Sequence, residues 1–550
     1  MNRIATILVF SLFILSVQAQ ENKAVKRPKL VVGIVVDQMR WDYLYRFYDR
    51  YTEGGFKRLM KDGYNCQNTF INYLPSYTGP GHACIYTGSV PAIHGIASND
   101  WIDNATGKTV YCVEDKTVHA IGGSSKAGQM SPRNLLTTNV IDEFRLISGY
   151  VSQVCAISLK DRGAILPAGH TISNIPYSGA FWFDDSTGNF MSSSYYWASL
   201  PDWVQKFNEK RYADTLINKE WDKLYDTYSY QTTTNGYLDN NKYEGKFKGE
   251  QYPTFPHQLS KTSDKGYNGL RYLPGGNKII FKLAKEAVIF GSIGFSFSTD
   301  FLCLSFSATD YVGHMYGPNS HEVEDMYLRF DKDLASFLHF LDLNIGEGNY
   351  TVFLTADHGA AHNTELLKDL KVPAGNKSET EAAKELMAYV KTTTGKDSLI
   401  RSLSDYQVYL NEPKFASIQQ RDYVKKLIVD WFYKQEGVAY AIDMENMSNA
   451  TVPEPIKTMI VNGYNRQRSG CIQIILQPGW YSDSHKTGTT HGTWNPYDTH
   501  IPLLWYGWGI PKGETYRRVN MTDIAATLSA LLHIQMPNGC VGNVITEITE

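Results

Sequence analysis

Three short motifs and one isolated aspartate hold the residue types that bind metal ions. Asp310 and His314 stand four apart in Asp-Tyr-Val-Gly-His, so one helical turn or a tight loop can present a carboxylate and an imidazole to a single ion. Asp357-His358-Gly359 sets the same pair side by side, which suits a sharp loop at a strand end, with Gly359 free to take an unusual backbone angle. His491 lies in Gly-Thr-Thr-His-Gly, a loop too rich in Gly and Thr to be a helix. With Asp37 these make a set of carboxylates and imidazoles without thiolate, which suits zinc and leaves manganese and iron open. Singly, each motif is more often a satisfied structural pair. Together they describe a metal centre.

A nucleophile stands elsewhere in the chain. Ser76-Tyr77-Thr78-Gly79-Pro80-Gly81-His82 reads as a helix start with Pro80 near its first position. Helix N-termini favour anions, so Thr78 is either an ordinary cap or a nucleophile aimed at a bound anion. Metal coordination can turn its hydroxyl into an alkoxide near neutral pH, and this favours the second reading. Lys160 and Arg162 add two positive charges, although Lys-Asp-Arg after a strand is also a common solvated turn. Of the remaining histidines, His82 and His94 read as structural, and His321 as part of a solvated helix start. His362 and His485 read as neighbours of the ligands, outside the motifs.

The elements that must position these groups are buried strands. Leu30–Val36 is a β-branched run without alternation, the mark of a strand covered on both faces. Similar runs recur at Val151–Leu159, Phe301–Phe306, Tyr350–Leu354 and Ile501–Tyr506, and helical spacing fills Val323–Leu341. Strands alternating with helices predict an α/β fold, a doubly wound, mostly parallel sheet flanked by helices. Four runs are followed in turn by Asp37, Lys160 with Arg162, Asp310 with His314, and Asp357 with His358. Parallel sheets bind ligands at the carboxyl ends of their strands, so these groups converge on one rim. An aromatic-rich stretch at about 181–277 is either a surface excursion or a cap over the rim. Residues 367–477 read as a small subdomain, and Thr522 opens a capped helix packed on the sheet.

The 550 residues carry a net charge of −3 and no basic run, so no nucleic-acid surface is evident. Residues 1–19 read as a signal peptide: an apolar segment from Ile4 to Val17, then Val-Gln-Ala, short of the roughly 20 residues a spanning helix needs. A secreted, periplasmic protein without a membrane anchor is expected, a monomer. Its seven cysteines form no C-x-x-C pair, and their pairing is not readable.

In this order, Asp37, Thr78-Gly-Pro-Gly-His82, Asn99, Asp310-x-x-x-His314, Asp357-His358-Gly359 and Gly-Thr-Thr-His491-Gly resemble the alkaline phosphatase superfamily. The branch most similar is that of nucleotide pyrophosphatases/phosphodiesterases and phosphate-irrepressible alkaline phosphatases, and the match spans nearly the whole of residues 20–550. The resemblance implies two zinc ions, one held by Asp310, His314 and His491, the other by Asp37, Asp357 and His358 with Thr78 as nucleophile. Asn99 would bind a phosphoryl oxygen. Lys160 and Arg162 resemble the monoesterases rather than the diesterases. Charge agrees: two zinc ions, less three aspartates and a Thr78 alkoxide, plus Lys160 and Arg162, leave two positive charges for a phosphomonoester dianion. The expected activity is hydrolysis of small phosphate monoesters through a phosphothreonine. The alternatives are a phosphodiesterase and a non-catalytic zinc-dependent phosphate-binding protein. A sulfatase is disfavoured because Thr78-Gly-Pro-Gly replaces the C-x-P-x-R or S-x-P-x-R pattern.

Overall fold

The structure is a computed structural model and describes residues 25–124, 126–170, 178–226, 229–230, 238–262 and 266–549. The expected signal peptide lies outside the described residues. Among the described residues, no helix is long and apolar enough to cross a membrane.

The unalternating runs form the middle of a ten-stranded sheet. In chain order its strands are β1 (Leu30–Val36), β2 (Tyr64–Cys66), β3 (Ala120–Ile121), β4 (Val154–Ser158), β5 (Gly179–Asp184), β6 (Asn189–Ser193), β7 (Asp300–Phe306), β8 (Tyr350–Thr355), β9 (Leu503–Gly507) and β10 (Gly513–Thr515). Their order across the sheet is β10-β2-β9-β8-β1-β7-β4-β5-β6-β3. β1, wholly buried, lies between β7 and β8 and parallel to both, and β7, β4 and β5 continue the parallel set. The register is level: Val36 opposes Phe306, Val35 opposes Thr355, and Ser305 opposes Ser158. Four carboxyl ends therefore finish at one height, and the residues that follow them share one rim.

Two expectations about these runs change. Ile501–Tyr506 is broken at Pro502, which has no N–H to give a ladder, and β9 beyond it runs antiparallel to β8. The stretch from 181 does not leave the fold at once, because β5 and β6 extend the main sheet and the excursion proper follows them. The stretch at 367–477 contains a four-stranded sheet, with helices at Glu379–Thr394 and Ile418–Phe432, and its own apolar core around Leu386, Val408, Val424 and Ile428.

The helices that matter most are α1 (Thr78–Thr87), α2 (Asp161–Ala168), α3 (Pro274–Ile289), α4 (Ala308–Tyr316), α5 (His321–Leu341) and α6 (Asp523–Leu531). Every residue of α1 is buried. Gly81 allows this: a Cβ there would lie 2.7 Å from Asp357 Cβ, so only glycine lets α1 approach the loop after β8. α6 packs on α1, and its expected cap is absent: Thr522 makes no side-chain cap bond, while Asp523 accepts from Asn520 N and Asn543 N.

The start of α5 is not solvated as expected. His321, Glu322, Glu324 and Asp325 are all buried, because the excursion folds over them. Trp221 Nε1 donates to Asp325 Oδ2 at 2.7 Å, and His257 bonds Glu322 Oε1 at 3.1 Å and Glu250 Oε1 at 3.0 Å. Burial alone would lower the His257 imidazole, but the two carboxylates push it up to about 9. A folded pKa above the unfolded one makes this stabilisation complete below about pH 6.5, and it is lost as pH rises through about 9. Urea unfolding at a series of pH values is therefore expected to show wild type losing stability relative to a His257→Gln variant across that window. A gap that stays constant would contradict the charged imidazole.

Candidate active site

The rim brings the carboxylates and imidazoles of the sequence motifs together. Asp310, His314 and His491 offer donor atoms within 4.8 Å of one another, and so do Asp37, Asp310 and His358. Asp357 flanks the second group, with its Oδ2 3.6 Å from His358 Nε2. His314 Nε2 lies 3.1 Å from Asp310 Oδ1, His491 Nε2 3.8 Å from the same oxygen, and His358 Nε2 3.4 Å from Asp37 Oδ1. The separations suit donors that share ions about 2.0–2.2 Å from each.

Each of the three imidazoles is oriented by the main chain. His314 Nδ1 donates to Thr489 O at 2.8 Å, His491 Nδ1 to Ser76 O at 2.8 Å, and His358 Nδ1 to Gly359 O at 3.0 Å. This fixes the tautomer and turns all three Nε2 lone pairs towards the carboxylates, as metal-binding histidines require. The rings of His358 and His491 stack with centroids 3.4 Å apart. Burial lowers both imidazoles, which keeps them neutral. For His314 burial acts the same way, but the neighbouring Asp310 outweighs it and raises the group. Burial and then Asp37 hold Asp357 well above the usual carboxylate range. Asp37 Oδ1 and Asp357 Oδ2 are buried without a hydrogen-bond partner among the described residues. Bare carboxylate oxygens beside neutral imidazoles fit a metal-binding site.

Thr78 is the first residue of α1, with Tyr77 at the cap position, so its hydroxyl does not cap the helix. Its Oγ1 lies 3.4 Å from His358 Nε2. Asn99 Oδ1 accepts from Gly79 N at 2.8 Å, which holds its amide beside that hydroxyl's helix turn. Lys160 lies deeper than a solvated turn would: its Nζ is 2.6 Å from Asp37 Oδ2 and 2.7 Å from Asp310 Oδ2, one carboxylate of each triad in the sequence expectation. Burial alone would lower this amine, but Asp310 and Asp37 raise it, so it stays charged. Arg162 Nη1 donates to Tyr111 OH at 3.1 Å, and Tyr111 OH donates to Asp161 Oδ1 at 2.5 Å. A cavity of about 440 Å³ opens beside Lys160 and Arg162, lined also by Tyr111, Arg271 and Tyr311.

Gln38 and Tyr111 were not anticipated. Gln38 has a φ of 64° and is buried; its Nε2 donates to Asp310 Oδ1 at 2.7 Å and its N to Asp357 Oδ1 at 3.2 Å. A left-handed glutamine inside a site is a strained conformation held by its surroundings, and its only trace in the sequence is its place after Asp37. Gly359 has no positive φ; a Cβ there would collide with Tyr497 O, so the glycine serves close approach. His82 bonds Thr78 O and Ser305 Oγ, and burial pushes it down to about 4. His362 faces Arg40 and Asn319, and His485 is exposed beside Asp483, so neither joins the ligand groups.

Removing Lys160 would leave Asp37 and Asp310 facing each other in a dry rim. Lys160→Ala is expected to destabilise chelator-treated protein by about 3–5 kcal/mol in urea unfolding, and metal-loaded protein by much less. Equal losses in both would show that the amine is not neutralising these carboxylates.

A family model described as type I phosphodiesterase / nucleotide pyrophosphatase matches residues 31–500. Relatives of similar length include a protein of Myroides odoratus named calcium-transporting ATPase, 45% identical over 100% of both chains. The alkaline phosphatase PhoV of Synechococcus elongatus is 46% identical over 98% of both, and the alkaline phosphatase PafA of Elizabethkingia meningoseptica 47% over 96% of both. The crystal structure of wild-type PafA superposes with a TM-score of 0.91 at 46% identity, covering 96% of this chain and 100% of that one. A PafA variant in which a threonine, an asparagine, a lysine and an arginine are replaced superposes with a TM-score of 0.90.

Proposed function

The chain belongs to the type I phosphodiesterase / nucleotide pyrophosphatase family, and it is an alkaline phosphatase, a phosphate-monoester hydrolase; we propose that it works with two zinc ions and a covalent phosphothreonine at Thr78. The observation that carries this reading is the set of main-chain-oriented imidazoles facing buried carboxylates, with Thr78 Oγ1 3.4 Å from His358 Nε2. Asp310, His314 and His491 would hold one ion; Asp37, Asp357 and His358 would hold the other. When bound, the ions supply Lewis acidity that lowers the pKa of a hydroxyl and stabilises charge on a leaving oxygen.

Thr78 Oγ attacks phosphorus in line and the ester oxygen departs as the alcohol; water then cleaves the phosphothreonine to release inorganic phosphate and restore the hydroxyl. Asn99, with its carbonyl already taken by Gly79 N, turns its amide donors to a phosphoryl oxygen. Arg162, steadied by Tyr111, presents its planar fork to two oxygens, and Lys160 contributes a point charge. The PafA variant carries replacements of the same four residue types, in the same chain order, as Thr78, Asn99, Lys160 and Arg162, which supports these roles. An export signal at residues 1–19 is part of the same reading, placing the enzyme outside the cytoplasm.

Thr78→Ala is expected to abolish most turnover while the protein keeps two zinc ions by elemental analysis, and Thr78→Ser to retain substantial activity. Near wild-type turnover by Thr78→Ala would exclude the covalent route. Arg162→Ala is expected to lower kcat/KM on an aryl phosphate monoester by about tenfold to a hundredfold, with a much smaller loss on the matching diester. Equal losses on the two substrates would favour a phosphodiesterase using the same site.

A further inference from the structure

The cavity beside Lys160 and Arg162 has a volume of about 440 Å³, the size of a small-molecule pocket rather than of a phosphoryl group alone. Both ends of the 181–277 stretch reach it. At one end, β5 lies parallel to β4 with Trp182 opposite Ser158, so its carboxyl end brings Asp185 to the rim that carries Lys160. At the other end, just ahead of α3, stands Arg271.

Arg271 is built into the cavity wall. Its side chain is only 12% exposed, and its Nε lies 2.9 and 3.1 Å from the two oxygens of Asp185. Its Cζ lies 5.5 Å from the centroid of the Tyr311 ring, and Lys160 Nζ lies 5.1 Å from the same centroid. One aromatic ring thus spaces this guanidinium from the amine that bridges Asp37 and Asp310. Asp185 holds Arg271 by its Nε edge. Nη1 reaches Tyr311 OH only at 3.4 Å, and Nη2 has no hydrogen-bond partner among the described residues. The other acids on the wall are committed elsewhere. Asp161 Oδ1 accepts from Tyr111 OH and Arg162 N, and Asp184 accepts from Ser124 N, Ser186 N and Thr187 Oγ1. What the cavity leaves unsatisfied is the outer fork of a guanidinium, and the group that best satisfies such a fork is an oxyanion.

We propose that Arg271 is a specificity-determining residue, which receives a second anionic group, a carboxylate or a further phosphoryl group, carried by the same substrate a few bonds from the ester. The assignment rests on the reading that Lys160 and Arg162 take the phosphoryl group being transferred. It names the substrate class that the site favours: small phosphate monoesters with a second negative charge. Tyr311 sets the reach, because its ring stands between the two positions.

The test compares esters that differ at one carbon. 3-Phosphoglycerate and glycerol 3-phosphate share the phosphate ester and the middle hydroxyl, and differ by a carboxylate in place of a hydroxymethyl group. Zinc-loaded wild type is expected to show a kcat/KM about tenfold higher on 3-phosphoglycerate, mostly through KM. Arg271→Met is expected to erase that ratio, and Arg271→Lys, which keeps the charge without the fork, to keep part of it. Binding is read apart from turnover with phosphonates, which have no ester to cleave. Calorimetry is expected to find 4-phosphonobutyrate bound about tenfold more tightly than butylphosphonate by wild type, and the two bound alike by Arg271→Met. Wild type that shows no preference in either comparison overturns the proposal, as does a preference that Arg271→Met retains. Failure to turn over either ester, with the phosphonate preference intact, would overturn the Thr78 mechanism and uphold this assignment.

Discussion

The hardest constraint on this molecule is that Asp37, Asp310 and Asp357 are buried together at one end of a sheet. Charges of one sign in a dry space repel strongly, so the arrangement stands only where positive charge is brought to it. The level register of β1, β7 and β8 creates the problem by ending three strands at the same height. The same register offers the means of balance, because β4 ends alongside and delivers Lys160 between two of the three acids. Lys160 thereby takes on a task beside the substrate role that the sequence suggested for it. It neutralises the carboxylates, and in the proposed reaction it would also present a charge to the phosphoryl group.

The surrounding structure is arranged to hold this rim still. α1 carries Thr78 into the site and is wholly buried, wedged against the loop after β8 through Gly81 and backed by α6. α4 is tied at its start by Thr309 Oγ1, which donates to Asp37 O at 2.6 Å. Gln38 spans Asp310 and Asp357 from a strained backbone position. Loss of conformational freedom at so many points is costly, and the large apolar core beneath the sheet offsets it.

Much of this was legible in the sequence because buried parallel strands leave a plain mark. β1, β7 and β8 lack alternation, and the groups that follow them are chemically distinctive, so both the α/β fold and the converging rim could be read. What escaped depended on long-range packing. His321-Glu-Val-Glu-Asp has the composition of a solvated helix start, and only the excursion folding over it makes those acids buried. Pro502 shortens the run at Ile501–Tyr506, and the antiparallel direction of β9 follows from the path of the chain and not from any local pattern. Gly359 was read as a hinge for backbone angle, whereas the close carbonyl of Tyr497 is what excludes a side chain. Gln38 has no motif of its own, since its role comes from a φ that no local pattern announces.

The bond from His491 Nδ1 to Ser76 O has a consequence for precision. His491 comes from a loop more than four hundred residues downstream of Ser76, and Ser76 lies two residues before Thr78. His491 and Thr78, the ligand and the nucleophile of the proposed reaction, are therefore measured from one datum, as two holes drilled from a single reference edge. The bond ties the loop that carries His491 to the segment that opens α1, so displacing one against the other breaks it. Their separation is set by this short local path and not by the hundreds of residues between them.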